Sequence, residues 1–327
     1  MNKTALITGI TGQDGYYLSQ LLLERGYRVV GLLPPERQGS VVKLDDLADQ
    51  VEIYSVDLRD AQALQAAVIQ LQPTEIYNLA APSFVPASWN DPLGTLDLIT
   101  GTATRLLTAI RHSQLATRFY QASSSEIFGA VQESPQSETT PFRPKNPYGA
   151  AKLHAHWTMT HHREQYNLFA CSGILYNHES PRRPPQFVTR KVTLAAAGIK
   201  LGLMDKLSMG NLDAKRDWGF AGDYVEVMWR MLQTDTPQDY VIGTGILHSV
   251  KDLVEMAFNS VNLDWQKYVE VNTTLLRRDE HFQLVADPSN AKNNLHWSPQ
   301  VTFEQLIENM VQIDLQRLQS GQVALTE

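Results

Sequence analysis

Short apolar segments alternate with longer amphipathic segments through the first half of the chain. TALITGI (4–10) precedes YYLSQLLLERG (16–26), in which Leu18, Leu21 and Leu22 recur at helical spacing. The first pattern recurs in RVVGLL (28–33), EIYNLAA (75–81), RFYQASS (118–124) and FACSGILY (169–176). The second recurs in DAQALQAAVIQLQ (60–72), GTATRLLTAIRHS (101–113) and AAKLHAHWTMTHHREQYN (150–167). Such alternation predicts parallel strands joined by crossover helices that cover both faces of one sheet.

The pattern changes at NHESPRRPPQF (177–187), which is rich in proline and arginine and has no periodicity. Such a segment indicates a crossover loop into a second region. We expect an α/β protein with a dinucleotide-binding domain at 1–175, built as a Rossmann-type doubly wound parallel sheet. A smaller α/β substrate domain at 176–327, partly interleaved with the first, follows. In it we expect a helix over 188–202 and a polar turn at GNLDAKRDWG (210–219).

Composition narrows the classes of function. The 327 residues carry a net charge of −7, which argues against nucleic acid as a partner because its backbone calls for a basic face. No apolar run approaches the roughly 20 residues of a membrane span, so no membrane partner is expected. The single cysteine, Cys171, excludes an internal disulfide, and the first residues do not resemble a secretory signal. We therefore expect a cytoplasmic protein.

The turn TGITGQDG (8–15) lies between the first strand and the first helix. Its glycines let the backbone approach a pyrophosphate, and the helix amino terminus offers free N–H groups and a partial positive charge. The pattern predicts a dinucleotide site, although a tight strand–helix turn without a ligand has the same spacing. The expected cofactor contacts are Gly9, Thr11, Gly12, Gln13, Asp14 and Gly15.

The ends of the next three strands predict further cofactor contacts. GLLPPERQ (31–38) has no acid at the strand end; Arg37 suits a 2′-phosphate and Glu36 a 2′-hydroxyl, unless both are solvated loop charges. VDLRD (56–60) is expected to end the third strand, where adenine contacts would lie, and Asp57 and Leu58 are the expected contacts. NLAAPS (78–83) is expected to end the fourth strand; it gives Leu79, Ala80 and Ala81 as contacts, and the small size of the two alanines lets a cofactor pass closely.

The segment NPYGAAK (146–152) places Tyr148 and Lys152 four residues apart, on one face of a helix. The lysine charge is expected to lower the pKa of the phenol, so that the tyrosine removes a hydroxyl proton as hydride leaves the same carbon. The alternative is an ordinary pair on a helix surface.

At these motifs the chain resembles the extended short-chain dehydrogenase/reductase superfamily and, within it, the GDP-mannose 4,6-dehydratase family. The similar segments include ALITGITGQDGYYL (5–18), FYQASSSEIFG (119–129), GILYNHESPRR (173–183) and GNLDAKRDWG (210–219). The resemblance implies conversion of GDP-mannose to GDP-4-keto-6-deoxymannose without net redox change. Hydride leaves C4, water is eliminated across C5 and C6, and the hydride returns to C6.

The resemblance also implies residue roles. Glu126 is the group that transfers protons in the elimination, Ser124 forms a hydrogen bond to the C4 oxygen, and Tyr148 is the base at C4. The alternative for Glu126 is a charge or cap at a helix start. His178 is implied as a further cofactor contact. The implied substrate contacts are Ser83, Ser124, Glu126, Asn177, Glu179, Lys191, Arg216, Arg277 and Glu280. The arginines could instead form surface ion pairs with Asp217 and Asp279.

Departures from the family pattern leave some properties open. Pro34 and Pro35 replace paired arginines that contact NADP and a neighbouring subunit, so NADP is expected but NAD stays possible. The chain is expected to form a homodimer or a homotetramer. His154, His156, His161 and His162 lack the i, i+4 spacing of a helical zinc site, so no metal is expected. Two other functions stay open: an NAD(P)H-dependent reductase or epimerase of a GDP-4-keto-6-deoxyhexose, and a non-catalytic cofactor-binding protein.

Overall fold

A computed structural model describes residues 3–272, 274 and 283–322. The strands are β1 (Thr4–Thr8), β2 (Arg28–Leu33), β3 (Glu52–Ser55), β4 (Glu75–Asn78), β5 (Arg118–Ala122), β6 (Ala170–Leu175), β7 (Asn177–Glu179), β8 (Leu207–Met209), β9 (Lys215–Phe220), β10 (Tyr240–Ile242), β11 (Leu247–Ser249) and β12 (Val269–Val271). The α-helices are α1 (Gln13–Glu24), α2 (Ala61–Leu71), α3 (Pro92–Leu96), α4 (Thr102–Ser113), α5 (Pro147–Tyr166), α6 (Val188–Lys200), α7 (Ala221–Met231), α8 (Val250–Asn259), α9 (Ser289–Leu295) and α10 (Phe303–Gln319).

The main sheet has seven parallel strands in the order β10–β6–β5–β4–β1–β2–β3. Helices cover both of its faces, which confirms the predicted doubly wound sheet. Leu18, Leu22 and Met228 belong to the apolar cluster on one face, and Leu64, Leu106 and Met159 belong to the cluster on the other. Central strands such as β1 and β6 are mostly apolar because both of their faces are buried, whereas the edge strand β3 is partly exposed.

The chain after the crossover contributes to both parts of the molecule. β10 pairs with β6 at the edge of the main sheet, and α7 packs against α1. α9 packs against β10 and α7, and the other elements form a second layer around Trp218, Phe258 and Phe303. There β9 lies between β7, with which it is parallel, and β11, with which it is antiparallel, while β8 pairs with β12.

Three local expectations were wrong in detail. The proline-rich crossover includes the strand β7, and the expected polar turn at 210–219 contains most of β9, so Arg216 lies on a strand. β9 forms there because β7 and β11 supply partners from elsewhere in the chain. β3 ends at Ser55, so Asp57 and Leu58 follow it by two and three residues.

Helix α5 begins earlier than its apolar pattern suggests. Asn146 caps it, with the side-chain oxygen accepting a hydrogen bond from the Gly149 N–H at 2.7 Å, and Pro147 occupies the first helical position. This places Tyr148 and Lys152 in the first turns of the helix, beside the carboxyl end of β5. Among the described residues, no helix is long and apolar enough to cross a membrane.

Candidate functional site

A cavity of about 760 Å³ opens at the carboxyl ends of the central strands and extends over the second layer. This is the edge where parallel α/β sheets bind their ligands. Of the residues predicted from the sequence, the following line it: Asp14, Leu79, Ala81, Ser83, Ser124, Glu126, Tyr148, Lys152, Asn177, His178, Lys191 and Arg216. The cavity therefore brings together residues that are up to 202 positions apart.

The glycine turn at one end of the cavity has the geometry of an anion site. Gly9 has φ +73°, and a Cβ there would lie 3.0 Å from the Ala80 nitrogen at the end of β4. At Gly15, a Cβ would lie 2.4 Å from the Gly9 carbonyl oxygen, so larger residues would force the turn apart. Gly12 is the N-cap of α1 and offers no side-chain acceptor to the first turn. These features fit a cofactor pyrophosphate over the helix amino terminus.

Two polar residues of the first turn of α1 hold the crossover segment. The Gln13 amide donates to the His178 carbonyl oxygen at 3.0 Å and accepts from the Ser180 hydroxyl at 2.8 Å. The Asp14 carboxylate lies 2.9 Å from His178 Nε2. Burial acts to raise the pKa of Asp14, but the neighbouring imidazolium and the Gln13 amide outweigh it and lower that pKa.

A buried chain of polar side chains supports the strand ends. The Thr8 hydroxyl donates to Asn78 Oδ1 at 2.6 Å and accepts from the backbone N–H groups of residues 79 and 80. The Asn78 amide donates to Gln121, whose own amide donates to the Ala122 carbonyl oxygen. These bonds link the ends of β1, β4 and β5, so the cavity wall is held by hydrogen bonds as well as by packing.

The Ala122 carbonyl oxygen also accepts a 2.7 Å hydrogen bond from Lys152 Nζ. The same Nζ lies 5.6 Å from the centroid of the Tyr148 ring. Burial lowers the pKa of Lys152 to about 8. For Tyr148, burial raises the pKa well above its usual value, and a hydrogen bond with Ser124 acts in the opposite direction. The expected lowering of the phenol pKa by Lys152 is therefore not the dominant effect, because both groups lie deep in the wall.

Glu126 lies in a short helical turn, 125–127, that follows β5. Ser124 caps this turn by accepting from the Glu126 N–H at 3.2 Å. The carboxylate of Glu126 accepts a 2.7 Å hydrogen bond from the Asn146 amide nitrogen. The side chain thus lies in the cavity wall, with a defined partner, beside Ser124 and Tyr148.

The second-layer end of the cavity carries several cations. Lys191 donates to the Ser208 carbonyl oxygen at 2.7 Å, and burial lowers its pKa. Arg216 donates to the Lys215 carbonyl oxygen, and Arg183 lies over the Phe187 ring at 3.6 Å. This combination of aliphatic stems, cations and an aromatic face suits a nucleotide diphosphate.

Other predicted contacts lie elsewhere. The Glu179 carboxylate is buried, where it accepts from the Thr189 hydroxyl at 2.6 Å and pairs with Arg183 at 3.1 Å. Arg37 is exposed, and the Asp57 carboxylate accepts from the Arg59 N–H. Arg277 and Glu280 lie outside the described residues. Among the described residues, no cluster of three or more histidine, cysteine or carboxylate side chains is placed to hold a metal ion.

Of the cavity residues that sequence reasoning missed, Asn146 and Arg183 bear most directly on the chemistry. Asn146 was read as part of a helix start, although an Asn-Pro pair is a signal for an N-cap. Arg183 lies in the crossover segment next to Arg182, and nothing in the sequence shows which of the two faces the cavity. Arg182 instead packs over the Tyr16 ring and pairs with Asp45 at 2.5 Å.

Known proteins resemble the chain in sequence and in fold. Residues 6–310 match the profile of a family described as GDP-mannose 4,6 dehydratase. GDP-mannose 4,6 dehydratase 1 of Arabidopsis thaliana is 46% identical, over 96% of this chain and 90% of that protein. RMD from Pseudomonas aeruginosa complexed with NADPH has a TM-score of 0.82 at 21% identity, covering 97% of this chain and 100% of the other.

DesIV, a dTDP-glucose 4,6-dehydratase from Streptomyces venezuelae with NAD bound, has a TM-score of 0.85 at 20% identity, covering 98% of both chains. At such low identity, the two solved structures show a shared fold alone. The family profile and the Arabidopsis relative each span almost the whole length of the chain. The chain belongs to the GDP-mannose 4,6-dehydratase family.

Proposed function

We propose that the cavity converts GDP-mannose to GDP-4-keto-6-deoxymannose, with Ser124, Glu126, Tyr148 and Lys152 as its reacting groups. The observation that carries this proposal is the position of Glu126, a carboxylate held by an amide in the same wall as the Tyr148 phenol. A dehydrogenase or an epimerase needs a base at C4, but it needs no second proton-transfer group for the C6 hydroxyl. Elimination of water needs that group.

Tyr148 removes the proton from the C4 hydroxyl. Because burial raises the pKa of the phenol, the phenolate needs nearby stabilisation. The Ser124 hydroxyl provides a hydrogen bond, and the Lys152 ammonium provides positive charge near the ring. When bound over the glycine turn 8–15, a nicotinamide cofactor would supply the hydride acceptor for C4 and the hydride donor for C6.

Glu126 then serves the elimination. The new C4 ketone acidifies the C5 proton, which the carboxylate removes, and the resulting carboxylic acid protonates the C6 hydroxyl as it leaves as water. One carboxyl group carries out both transfers, so the elimination is balanced within the site. When hydride is added at C6, C5 takes up a new proton, which the carboxyl group delivers from solvent. Tyr148 cannot replace it, because the tyrosine is occupied at the C4 oxygen.

The cofactor is a nicotinamide dinucleotide, and we infer that it is NADP. The similar solved structures hold NADPH in one case and NAD in another. In this chain, β2 ends without an acidic residue, and the following segment 35–47 includes Arg37. That segment is tied to the glycine turn, because the Ser40 hydroxyl lies 3.2 Å from the Thr11 hydroxyl while it donates to the Arg37 carbonyl oxygen at 2.6 Å.

The substrate end of the cavity supports a diphosphate contact by Lys191, Arg183 and Arg216. We also infer that the chain forms a homo-oligomer through α3 and α5. These helices pack together and leave Leu93 and Trp157 exposed as large apolar side chains on the outer surface. Apolar side chains exposed together on neighbouring elements mark an association surface.

The test of the proposed reaction is Glu126→Gln. The amide keeps the size of the side chain but cannot exchange a proton, so oxidation at C4 should persist while water elimination fails. We expect a 4-keto hexose that retains its C6 hydroxyl and no solvent deuterium at C5, with overall turnover about 10²–10⁴-fold slower. Mass spectrometry of the bound sugar measures both. Tyr148→Phe is the matched comparison, because it should block the reaction before any ketone forms. Near-normal turnover of the glutamine variant would refute the assignment of Glu126.

A further inference from the structure

Asn146 bonds to two parts of the site with the two ends of one amide. Its oxygen accepts from the Gly149 N–H at 2.7 Å, which caps α5. Its nitrogen donates to Glu126 Oε2 at 2.7 Å. An amide is suited to this arrangement because it presents a fixed acceptor and a fixed donor side by side. The bond from nitrogen to carboxylate is charge-assisted and therefore stronger than a bond between neutral groups.

A second contact joins the same two elements. A Cβ at Gly149 would lie 2.6 Å from the Glu126 carbonyl oxygen, so the first turn of α5 lies directly against the backbone of Glu126. Tyr148 precedes this glycine, and Lys152 lies three residues after it. The carboxylate, the phenol and the ammonium are therefore connected through the start of one helix rather than through separate loops.

We propose that Asn146 is a positioning residue for the elimination step: it fixes Glu126 Oε2 and leaves Oε1 to exchange protons with the substrate. This inference rests on the proposed role of Glu126. With one oxygen held by the amide, the carboxylate keeps a single orientation toward the sugar. The same side chain sets the distance between the elimination carboxylate and the base at C4.

The discriminating variant is Asn146→Asp. Aspartate has the size of asparagine and is an equally good N-cap, so α5 should keep its cap. The donor to Glu126, however, is replaced by a second carboxylate oxygen. Two carboxylates at hydrogen-bond distance share a proton, and the pair releases it only at higher pH. The acid limb of C5 deuterium exchange should therefore move up by about one pH unit or more.

The chain contains a matched control at the start of α3. Asp91 precedes Pro92, and its carboxylate accepts a hydrogen bond from the Gly94 N–H at 2.9 Å. Asn146 has the same relation to Pro147 and to the Gly149 N–H at the start of α5. Asp91 is exposed and is not among the residues that line the cavity. Asp91→Asn makes the reverse substitution at an equivalent N-cap outside the cavity. It therefore measures how much an exchange between aspartate and asparagine at an N-cap changes the stability of the fold. Its pH profile should match the parent protein.

The other ionisable groups at this end of the cavity are unchanged in Asn146→Asp. They are Tyr148 and Lys152 on α5, Asp14 on α1, and His178 and Arg183 in the crossover segment. A change in the pH profile of C5 deuterium exchange is therefore attributed to the two carboxyl groups at positions 126 and 146. The melting temperature and the KM for GDP-mannose should stay close to those of the parent, and oxidation at C4 should persist.

The experiment compares the parent protein, Asn146→Asp, Asp91→Asn and Glu126→Gln with the cofactor and GDP-mannose present. The inference is supported if Asn146→Asp shifts the acid limb of C5 deuterium exchange to higher pH and lowers kcat about tenfold or more near neutral pH, with little change in KM. It also requires that Asn146→Asp has no further effect in a protein that already carries Glu126→Gln. A parental acid limb and kcat in Asn146→Asp would overturn the inference and leave the role of Glu126 intact, provided Glu126→Gln still blocks C5 exchange. If Glu126→Gln exchanges normally, the proposed function itself has failed.

Discussion

His178 uses both of its ring nitrogens. Nδ1 lies 2.8 Å from the Tyr176 carbonyl oxygen, and Nε2 lies 2.9 Å from the Asp14 carboxylate. Both partners are acceptors, so the ring has to carry both protons to make both bonds. Burial acts to lower the pKa of His178, but Asp14 and the carbonyl outweigh it, and the pKa is raised. A single charged residue thus links the crossover segment to the first turn of α1.

This pair predicts a pH dependence of stability. The raised pKa of His178 gives stabilisation that is complete below about pH 6.5 and is lost as the pH rises through the folded value. The lowered pKa of Asp14 gives stabilisation that is complete above about pH 4 and is lost as the pH falls. His178→Gln should therefore lower the urea midpoint more at about pH 5.5 than at about pH 9. His161→Gln, which changes an exposed ring, should show no such difference; equal losses for His178→Gln at both pH values would contradict the ion pair.

We expect Arg37 to determine the preference for NADP over NAD. If its guanidinium pairs with the 2′-phosphate, Arg37→Ala should weaken NADP binding by about 1.5–3 kcal/mol and leave NAD binding almost unchanged. Equilibrium titration with each nucleotide measures the ratio. Arg59→Ala is a useful comparison, because Arg59 follows β3 and pairs with Asp97 at 3.3 Å. An unchanged ratio in Arg37→Ala would show that another group selects the cofactor.

At the scale of the elements, a buried ion pair holds the substrate end of the cavity. Arg190 on α6 pairs with Asp314 on α10 at 2.6 Å, and the Thr193 hydroxyl donates to the same carboxylate at 2.8 Å. Arg190 also donates to the carbonyl oxygens of residues 181 and 183 in the crossover segment. The pair therefore joins two helices to the loop that carries Arg183.

Removing Asp314 should be costly. Asp314→Ala leaves the Arg190 guanidinium buried without its carboxylate, which should reduce the free energy of unfolding by about 3–5 kcal/mol. Chemical denaturation measures the loss. Arg28→Ala breaks the exposed pair with Glu52 and should change stability by less than about 1 kcal/mol. A small effect of Asp314→Ala would mean that water or a moved side chain replaces the lost partner.

For the whole molecule, α5 joins the site to the outer surface. One face carries Tyr148 and Lys152 into the cavity, and the other exposes Trp157 beside α3, where Leu93 is 78% exposed. We expect Leu93→Glu to shift the protein toward monomer, as measured by sedimentation velocity, because a charge would be buried between subunits. Leu203→Glu, at a site that is 57% exposed and lies after α6, should leave the assembly unchanged. An unchanged mass for Leu93→Glu would refute the proposed interface through α3 and α5.

Local patterns in the sequence determined the main sheet and the position of the site within it. Within each segment, the spacing of apolar residues shows whether one face or both faces are buried. That spacing is visible in a short stretch of sequence. The glycine turn and the segment NPYGAAK are equally local, so spacing is enough to propose Gly9, Tyr148 and Lys152 as site residues. The family resemblance added Ser124 and Glu126, which spacing alone does not identify.

Tertiary structure alone decided the contacts that join distant segments. The sequence predicts a turn where β9 lies, because the partners of β9, β7 and β11, come from other parts of the chain. The same holds for the bond between Asn146 and Glu126, for the pair of Asp14 with His178, and for the burial that governs the pKa of Tyr148. Each depends on how elements pack in three dimensions, and short-range periodicity carries no information about that packing.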